Sequence, residues 1–301
     1  MTASFTHRIQ YAALRVMIAL LSLVPWKLAS ATGAALGRLG YWPLKVRRRV
    51  AEKQIAESFP GMPPREQRSI LKGAYKNLGR VGIETALGSR LNPQKILDMF
   101  DAPVGWEYLE GPASRGQGVI LVSGHLGNWE IGAAYVAARG LKVSAVVRGQ
   151  SNKLFEEFAN RSRRRLGWNT IWDGEATRGI PRAIRDGHVV PLLADQGVMG
   201  LSSIWVPFFG RLARTPQGPA VFALRLGAPC VACVVTRQPD GRYRLFAEPV
   251  EVKDTGDRER DVEAIVAAYT RQFEAFVRKY PDQYLWQHRR WRHRPDGTND
   301  A

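Results

Sequence analysis

The sequence has little cysteine, and this scarcity excludes a disulfide framework. Only 2 cysteines occur among 301 residues, Cys230 and Cys233. They lie in an apolar run at 229–235, where the two-residue period of a strand puts them on opposite faces. We therefore interpret them as small core residues rather than as a redox or metal pair. Histidine, cysteine and aspartate also form no compact group with ligand spacing, so no metal and no cofactor are predicted.

Acidic residues are scarce as well, since 27 Asp and Glu stand against 44 Lys and Arg, for a net charge of +17. Such an imbalance indicates a polyanionic partner, either nucleic acid or an anionic membrane face with its phosphorylated lipids. Composition alone does not choose between these partners. The 45% of hydrophobic residues exclude disorder as the main state and suffice for one large domain.

The sequence also lacks an uninterrupted apolar run long enough for a transmembrane helix. Residues 11–26 contain YAALRVMIALLSLVPW, and Arg15 interrupts a run already shorter than the ~20 apolar residues of a span. We expect an uncleaved membrane-anchoring helix or helical hairpin over residues 1–42, embedded in the inner leaflet. A signal peptide and an ordinary amphipathic helical pair packed on the domain are the alternatives. Basic residues that suit the cytoplasmic side follow at Lys45, Arg47, Arg48 and Arg49.

Alternating apolar runs and helical patterns fill the chain after residue 118. Several runs are apolar along their whole length, as expected when both faces of a sheet are covered. The pattern predicts an α/β fold with a mixed, largely parallel central sheet flanked by helices. We expect strands at 119–123, 143–147, 170–172, 189–194, 204–208, 231–236 and 243–247. Helices are expected at 44–58, from 64 toward 87, and at 129–139, 152–166, 176–185, 216–226 and 258–280.

One predicted strand end carries a histidine and a glutamate, in the sequence GHLGNWE at 124–130. Glycines on both sides of His125 allow a tight turn and the approach of a substrate. The positive end of the following helix disfavours imidazolium, so we expect a neutral ring that acts as a general base. Glu130 would accept from one ring nitrogen and leave the other for the substrate. A capping histidine beside a surface glutamate is the alternative.

The HLGNWE block is similar to the H-x4-D/E motif of glycerolipid acyltransferases in its H-x-G-N-W-E form. Three further blocks follow in the family's order: Val147 and Arg148 with Asn152, then LADQ at 193–196 with VPFFG at 206–210 and Thr215, then YLWQHRRWR at 284–292. Together they resemble the bacterial lipid A biosynthesis acyltransferases, the lauroyl and myristoyl transferase family. The resemblance covers nearly the whole chain.

This resemblance implies an inner-membrane enzyme that faces the cytoplasm, with residues 43–301 as the acyltransferase domain. It would move a fatty acyl chain from acyl carrier protein or acyl-CoA, as co-substrate, to a hydroxyl of a lipid A precursor, an anionic glycolipid. His125 would take the hydroxyl proton, and Glu130 would orient His125. Related members acylate other glycolipids, such as mannosylated phosphatidylinositol.

Five more residues are candidates for binding substrate. Arg148 at a strand end would hold a donor phosphate or the oxyanion. Asp195 also follows a strand and would orient either Arg148 or the acceptor. Asn152 and Thr215 have the positions of helix N-caps beside these loops. Arg211 belongs to a basic cluster that suits the phosphates of an anionic glycolipid.

Two other functions are compatible with the same residues. One is a sibling acyltransferase that acts on another glycolipid or an aminolipid. The other is a non-catalytic basic protein that binds membranes or nucleic acid, since arginines alternate with aromatic residues at 286–294. We expect no nucleic acid, because it would leave the apolar N-terminus unexplained.

Overall fold

Eight strands form a central sheet and a separate ribbon in this computed structural model, which describes residues 4–197, 202–293 and 295. The sheet has the order β3-β2-β4-β1-β7-β8, and its strands are parallel except for the antiparallel β7–β8 pair. β5 and β6 pair antiparallel as the ribbon. The strands are β1 (Val119–Ser123), β2 (Val143–Val147), β3 (Trp168–Trp172), β4 (Val189–Leu193), β5 (Ser203–Phe208), β6 (Arg211–Pro216), β7 (Cys230–Arg237) and β8 (Tyr243–Val250).

Helices cover both faces of the sheet, which confirms the predicted mixed α/β fold with a largely parallel sheet. One face packs against α5, α6 and α7, and the other against α9, α10 and α11. The helices are α1 (Phe5–Leu21), α2 (Trp26–Tyr41), α3 (Arg48–Ser58), α4 (Pro64–Leu87), α5 (Pro93–Asp98), α6 (Glu107–Ser114), α7 (Trp129–Ala138), α8 (Lys153–Arg165), α9 (Ala176–Arg185), α10 (Gly218–Leu226) and α11 (Arg258–Lys279).

The two cysteines of β7 lie on opposite faces of the sheet, as the strand period predicts. Cys233 packs in the core beneath α7, and Cys230 packs in the core beneath α10 and α11. Both are free and buried, and burial raises the pKa of each thiol to about 12. Their thiols are therefore protonated and inert at neutral pH.

Three elements differ from the sequence-based expectation. β6 falls where a helix was expected to begin, so that Thr215 lies in a strand and does not cap α10. In β6, Ala213 and Thr215 are buried and Leu212 before them is exposed, which is typical of a ribbon with one covered face. α5 and α6 were not predicted, because both are short and Pro112 interrupts the second.

The N-terminal helices form a pair that packs on α4. Glycines bring α2 and α4 into close contact, since a Cβ on Gly37 would lie 2.0 Å from the backbone oxygen of Tyr75. Among the described residues, no helix is both long and apolar enough to cross a bilayer. The expected membrane-anchoring helix or hairpin over residues 1–42 therefore finds no support as a span.

Candidate active site

His125 lies two residues beyond β1, in a turn that requires glycine. Gly127 has a φ of 65°, and a Cβ there would lie 1.8 Å from the backbone oxygen of Val235. The backbone N–H of Asn128 donates to that same oxygen at 3.0 Å, and the Asn128 side chain accepts from the Ile131 N–H to cap α7. The turn is thus held on both sides, which fixes the direction of the His125 side chain.

Asp195 is the hydrogen-bond partner of the His125 ring. Because β1 and β4 are parallel neighbours with Ser123 opposite Leu193, the residues two positions later also lie side by side. One carboxylate oxygen of Asp195 is 2.8 Å from Nδ1 of His125, and the other accepts from the His125 backbone N–H at 3.0 Å. A Cβ on Gly124 would lie 2.9 Å from the Asp195 carboxyl carbon, so glycine gives that carboxylate its room.

Opposing effects set the pKa values of this pair. Burial lowers the pKa of His125, but the charge and hydrogen bond of Asp195, with the charge of Glu130, raise it above 6.5. Burial raises the pKa of Asp195, but the charge and hydrogen bonds of His125 hold it below its usual value. The pKa of the ring is therefore raised, mainly by Asp195, and not lowered as the position near the helix end alone predicts.

The ionised Asp195 also determines which ring nitrogen is basic. A carboxylate only accepts, so Nδ1 carries the proton in that bond and Nε2 holds the free lone pair of the neutral ring. In the part of the chain that the structure describes, no hydrogen bond reaches Nε2. The Gln196 amide lies 3.0 Å from Nδ1, and the Trp129 ring packs against the imidazole with centroids 4.7 Å apart. Nε2 is therefore the atom available to a substrate.

Glu130, expected to orient His125, binds Arg163 instead. Its two oxygens accept from Arg163 at 2.7 and 3.4 Å, and the guanidinium lies 5.1 Å from the centre of the Trp168 ring. Glu130 is at the first turn of α7, so a helical backbone turns it away from Nδ1, where Asp195 approaches from the next strand. Glu130 reaches His125 through its charge and not through a hydrogen bond.

A cavity of about 1050 Å³, the main cavity, opens beside His125. Its volume is slightly above the ~300–1000 Å³ of ordinary ligand pockets. Its lining includes the charged residues Glu130, Arg148 and Arg163. The rest is mainly apolar and includes sheet residues beneath α7, namely Leu121, Val143, Ala145, Val189, Cys233 and Leu245. Such a space suits a ligand with a long hydrocarbon part and a polar or charged end.

Two of the expected binding residues follow β2, and one of them contributes to this cavity. Arg148 lines it directly after β2. Asn152 is the N-cap of α8, as predicted, since its side-chain oxygen accepts from the Leu154 N–H at 3.1 Å. Its amide nitrogen also donates to the backbone oxygen of His7, which ties α8 to α1. Asp195 contacts His125 and forms no bond to Arg148 among the described residues, so the first of its two expected roles, to orient Arg148 or the acceptor, is not seen.

Arg211 and Thr215 are not among the described residues that line the main cavity. Arg211 forms an ion pair with Glu57, and its guanidinium lies 3.6 Å from the centre of the Trp291 ring. The Thr215 hydroxyl is buried and accepts from the Arg290 guanidinium at 2.6 Å. Both residues therefore join the ribbon to neighbouring segments.

The C-terminal block at 284–292 contacts the turn that carries His125. The backbone N–H of Leu285 donates to the His125 carbonyl at 3.1 Å. Trp286, Arg290 and Trp291 are buried, so their alternation of charge and aromatic rings does not form an exposed stacking surface. Buried Arg290 also adds positive charge near Asp195, which helps to lower the pKa of that carboxyl. Within the described ranges, no group of three or more His, Cys, Asp or Glu has the proximity of metal ligands.

Comparison of the sequence with known proteins places this chain in a family. The family described as bacterial lipid A biosynthesis acyltransferase matches residues 3–293. A lipid A biosynthesis lauroyltransferase of Escherichia coli is 27% identical over 91% of this chain and 89% of its own length, and a myristoyltransferase of the same organism is 27% identical over 88% and 81%. A phosphatidylinositol mannoside acyltransferase of Mycobacterium tuberculosis is 25% identical over 56% of this chain and 55% of its own length.

Proposed function

The chain belongs to the family of bacterial lipid A biosynthesis acyltransferases, enzymes of O-acyl transfer, and we propose that its donor is a fatty acyl thioester. The acceptor is a hydroxyl of a lipid A precursor or a related anionic glycolipid. The observation that carries this proposal is the His125–Asp195 pair beside a large, mainly apolar cavity. A hydrocarbon chain fits the apolar part of that cavity, and its thioester would then lie near Nε2.

The proposed reaction uses one base and needs no covalent enzyme intermediate. Nε2 of His125 removes the proton of the acceptor hydroxyl, and the oxygen attacks the thioester carbonyl. The new carbon–oxygen bond forms, the carbon–sulfur bond breaks, and the proton passes from His125 to the departing thiolate. Asp195 holds the ring in its productive tautomer and stabilises the imidazolium that forms.

Two further charged residues line the main cavity and have electrostatic roles in the proposed reaction. Arg148 supplies a cation where the donor enters, and we assign it to a phosphate of the donor, with stabilisation of the oxyanion as the alternative. Glu130 raises the pKa of His125 by its charge and fixes Arg163 by an ion pair. Acyl carrier protein is the proposed donor carrier, because its acidic surface complements the net charge of +17.

Membrane contact would come from an apolar surface on α1, α2 and the segment that follows them. Most of its large apolar side chains are about half exposed or more, which is unusual for a face that meets only water. A basic segment at 45–49 follows, and it complements an anionic membrane surface such as the cytoplasmic face of the inner membrane. The exposed apolar residues are Phe5, Ile9, Val16, Leu20, Leu23, Leu28, Leu36, Leu39, Trp42, Leu44 and Val46.

The test is an acyl-transfer assay with purified wild type and His125→Ala. We expect wild type to transfer a labelled acyl group from acyl carrier protein to a lipid A precursor, and His125→Ala to lose about 10²- to 10⁴-fold in rate. The donor is also offered as acyl-CoA, and the acceptor as phosphatidylinositol mannoside. Equal turnover by wild type and His125→Ala would exclude His125 as the general base. If folded wild-type protein transfers the acyl group to none of these acceptors, the proposal is contradicted.

A further inference from the structure

A second cavity, the arginine cavity, lies apart from the main cavity and has a volume of about 580 Å³. It is formed by α1, by the short 3-10 helix Gly88–Arg90 that follows α4, and by α8. Four of its nine lining residues are arginines, and no Asp or Glu belongs to the described residues that form it. The lining consists of Arg15, Ile18, Ala19, Ser89, Arg90, Phe158, Arg161, Ser162 and Arg165.

The four arginines are poorly neutralised by the protein itself. Arg15 donates to the Tyr11 hydroxyl at 3.2 Å and lies 5.8 Å from the centre of the Phe158 ring. Arg161 is 3.8 Å from Glu157, and both of these side chains are more than half exposed. For Arg90 and Arg165, no acidic partner within ion-pair distance occurs in the described part of the chain. Like charges that gather in one cavity repel each other, and a bound anion removes that repulsion.

The shape and donors of this cavity favour a phosphate group. A guanidinium presents its N–H groups as a planar fork that matches two phosphate oxygens, and Ser89 and Ser162 add hydroxyls to the lining. Ile18, Ala19 and Phe158 give the same cavity an apolar part. Such a combination of charge and hydrocarbon suits a phosphate that is attached to an apolar body.

We propose that the arginine cavity binds the phosphate of an anionic membrane lipid, whose hydrocarbon part runs along the exposed side of α1. Val16 and Leu20 of α1 and Leu23 just after it are 59, 62 and 82% exposed, so the helix that forms one side of the cavity also carries exposed apolar surface. The choice of a lipid over a soluble phosphate rests on the membrane contact proposed above.

This site is separate from the transfer chemistry but shares α8 with it. Arg161 and Arg165 line the arginine cavity, whereas Arg163 reaches the main cavity and binds Glu130. A lipid phosphate held here would therefore fix α8 against α1 at the membrane surface. The bond from Asn152 to the His7 carbonyl already joins the same two helices at the other end of α8.

Vesicle binding tests the site with a pair of charge reversals. The variant Arg90→Glu/Arg165→Glu is compared with Arg178→Glu/Arg258→Glu, which changes the net charge equally at two exposed positions on α9 and α11. Vesicles of digalactosyldiacylglycerol, a neutral lipid without phosphate, contain either phosphatidylglycerol or, at equal charge, a carboxylate lipid without phosphate. We expect wild type to prefer the phosphatidylglycerol vesicles and the cavity variant to lose about tenfold or more in affinity relative to the control variant.

Three outcomes would overturn the proposal. Equal losses in the two variants would mean diffuse attraction, and equal binding of the two vesicle types would mean that phosphate is not recognised. Saturable binding of inorganic phosphate or glycerol phosphate as tight as vesicle binding would assign the cavity to a soluble anion. Arg90→Gln/Arg165→Gln serves in place of the charge reversal if circular dichroism shows misfolding. Acyl transfer to a detergent-dispersed acceptor is measured separately, so failure of the proposed reaction is distinguishable from failure of the lipid site.

Discussion

His125 has two carboxylates in its neighbourhood, and only one of them bonds to its ring. The sequence motif points to Glu130 because it is near in the chain, whereas the hydrogen bond comes from Asp195 in another strand. A local motif does not contain the order of strands in the sheet, and that order is what places β4 beside β1. The position of His125 at the end of a strand was therefore predictable from the sequence, whereas Asp195 was recognisable only as a polar residue after a strand.

Asp195→Asn should slow acyl transfer about 10²- to 10⁴-fold, since an amide fails to hold the tautomer and to stabilise the imidazolium. The pH profile should also move. Asp195 raises the pKa of His125, and the base must be deprotonated, so wild-type kcat/KM rises with pH through a pKa above 6.5. In the variant this rise should shift to lower pH. Initial rates across pH give both quantities.

The matched control for this prediction is Glu130→Gln, which removes the second charge but leaves the Asp195 bond in place. We expect a smaller loss of rate than in Asp195→Asn and a smaller shift in the pH at which kcat/KM rises. A severe loss in Glu130→Gln with near-normal turnover in Asp195→Asn would assign the orienting role to Glu130, as the motif alone suggests.

Glu84 is a fully buried carboxylate that supports the catalytic turn from the opposite side. It accepts from the Asn128 amide at 2.8 Å and from the Ser30 hydroxyl at 2.6 Å, and it also bonds to Arg237 and Tyr243. Glu84→Ala leaves Arg237 buried without its carboxylate, so we expect a loss of about 3–5 kcal/mol in the free energy of unfolding. Urea titration measures it, and Glu84→Gln, which keeps the shape, should lose less. Equal values for wild type and Glu84→Ala would contradict this account.

At the scale of elements, the apolar runs predict most strands within one or two residues, because a strand buried on both faces has a distinctive composition. β1 and β2 were predicted with their observed ends, and α9 likewise. β6 was missed because its charged residues and Thr215-Pro216 indicate a helix start, whereas its pairing with β5 decides the conformation. Tertiary pairing of that kind is not a local property.

The α2–α4 contact depends on glycine in both helices. A Cβ on Gly79 would lie 2.1 Å from the backbone oxygen of Gly33, so the two backbones touch. Gly37→Leu must push the helices apart, and we expect it to lower the free energy of unfolding by about 3 kcal/mol. The control is Gly82→Ala on the exposed side of α4, where an added Cβ meets nothing within 4 Å. Its better helix propensity should raise stability by about 0.5–1 kcal/mol, and thermal or urea unfolding compares the two.

At the scale of the whole molecule, the predicted boundary between an anchor at 1–42 and a domain at 43–301 runs through a packed region. α2 lies along α4, so the second half of that segment is joined to the rest of the fold by a close helix contact. The sequence shows the apolar character of these residues, but it does not show which of them face protein. Deleting residues 1–42 would therefore uncover α4 as well as remove apolar surface.

Substitution at exposed positions tests membrane contact without that complication. Leu20→Ser/Leu23→Ser should weaken binding to anionic vesicles by about tenfold or more per residue, since each leucine loses ~1.5–3 kcal/mol of burial in lipid. Stability in solution should change little, because both side chains are exposed. The control is Val104→Ser/Leu212→Ser, two exposed apolar residues elsewhere. Similar vesicle affinities for the two variants would argue against a specific membrane face on α1.

The hydrogen bond from Leu285 to the His125 carbonyl links the catalytic turn to a segment that is synthesised much later. A growing chain emerges from the ribosome in sequence order, and its earlier parts begin to fold first. The exposed apolar helix α1 is therefore available from the start of translation, whereas the bracing of His125 waits for the segment at 284–291. If α1 contacts a membrane as proposed above, an incomplete chain would reach that membrane before the turn of His125 is braced, and we expect activity only after translation has passed this segment.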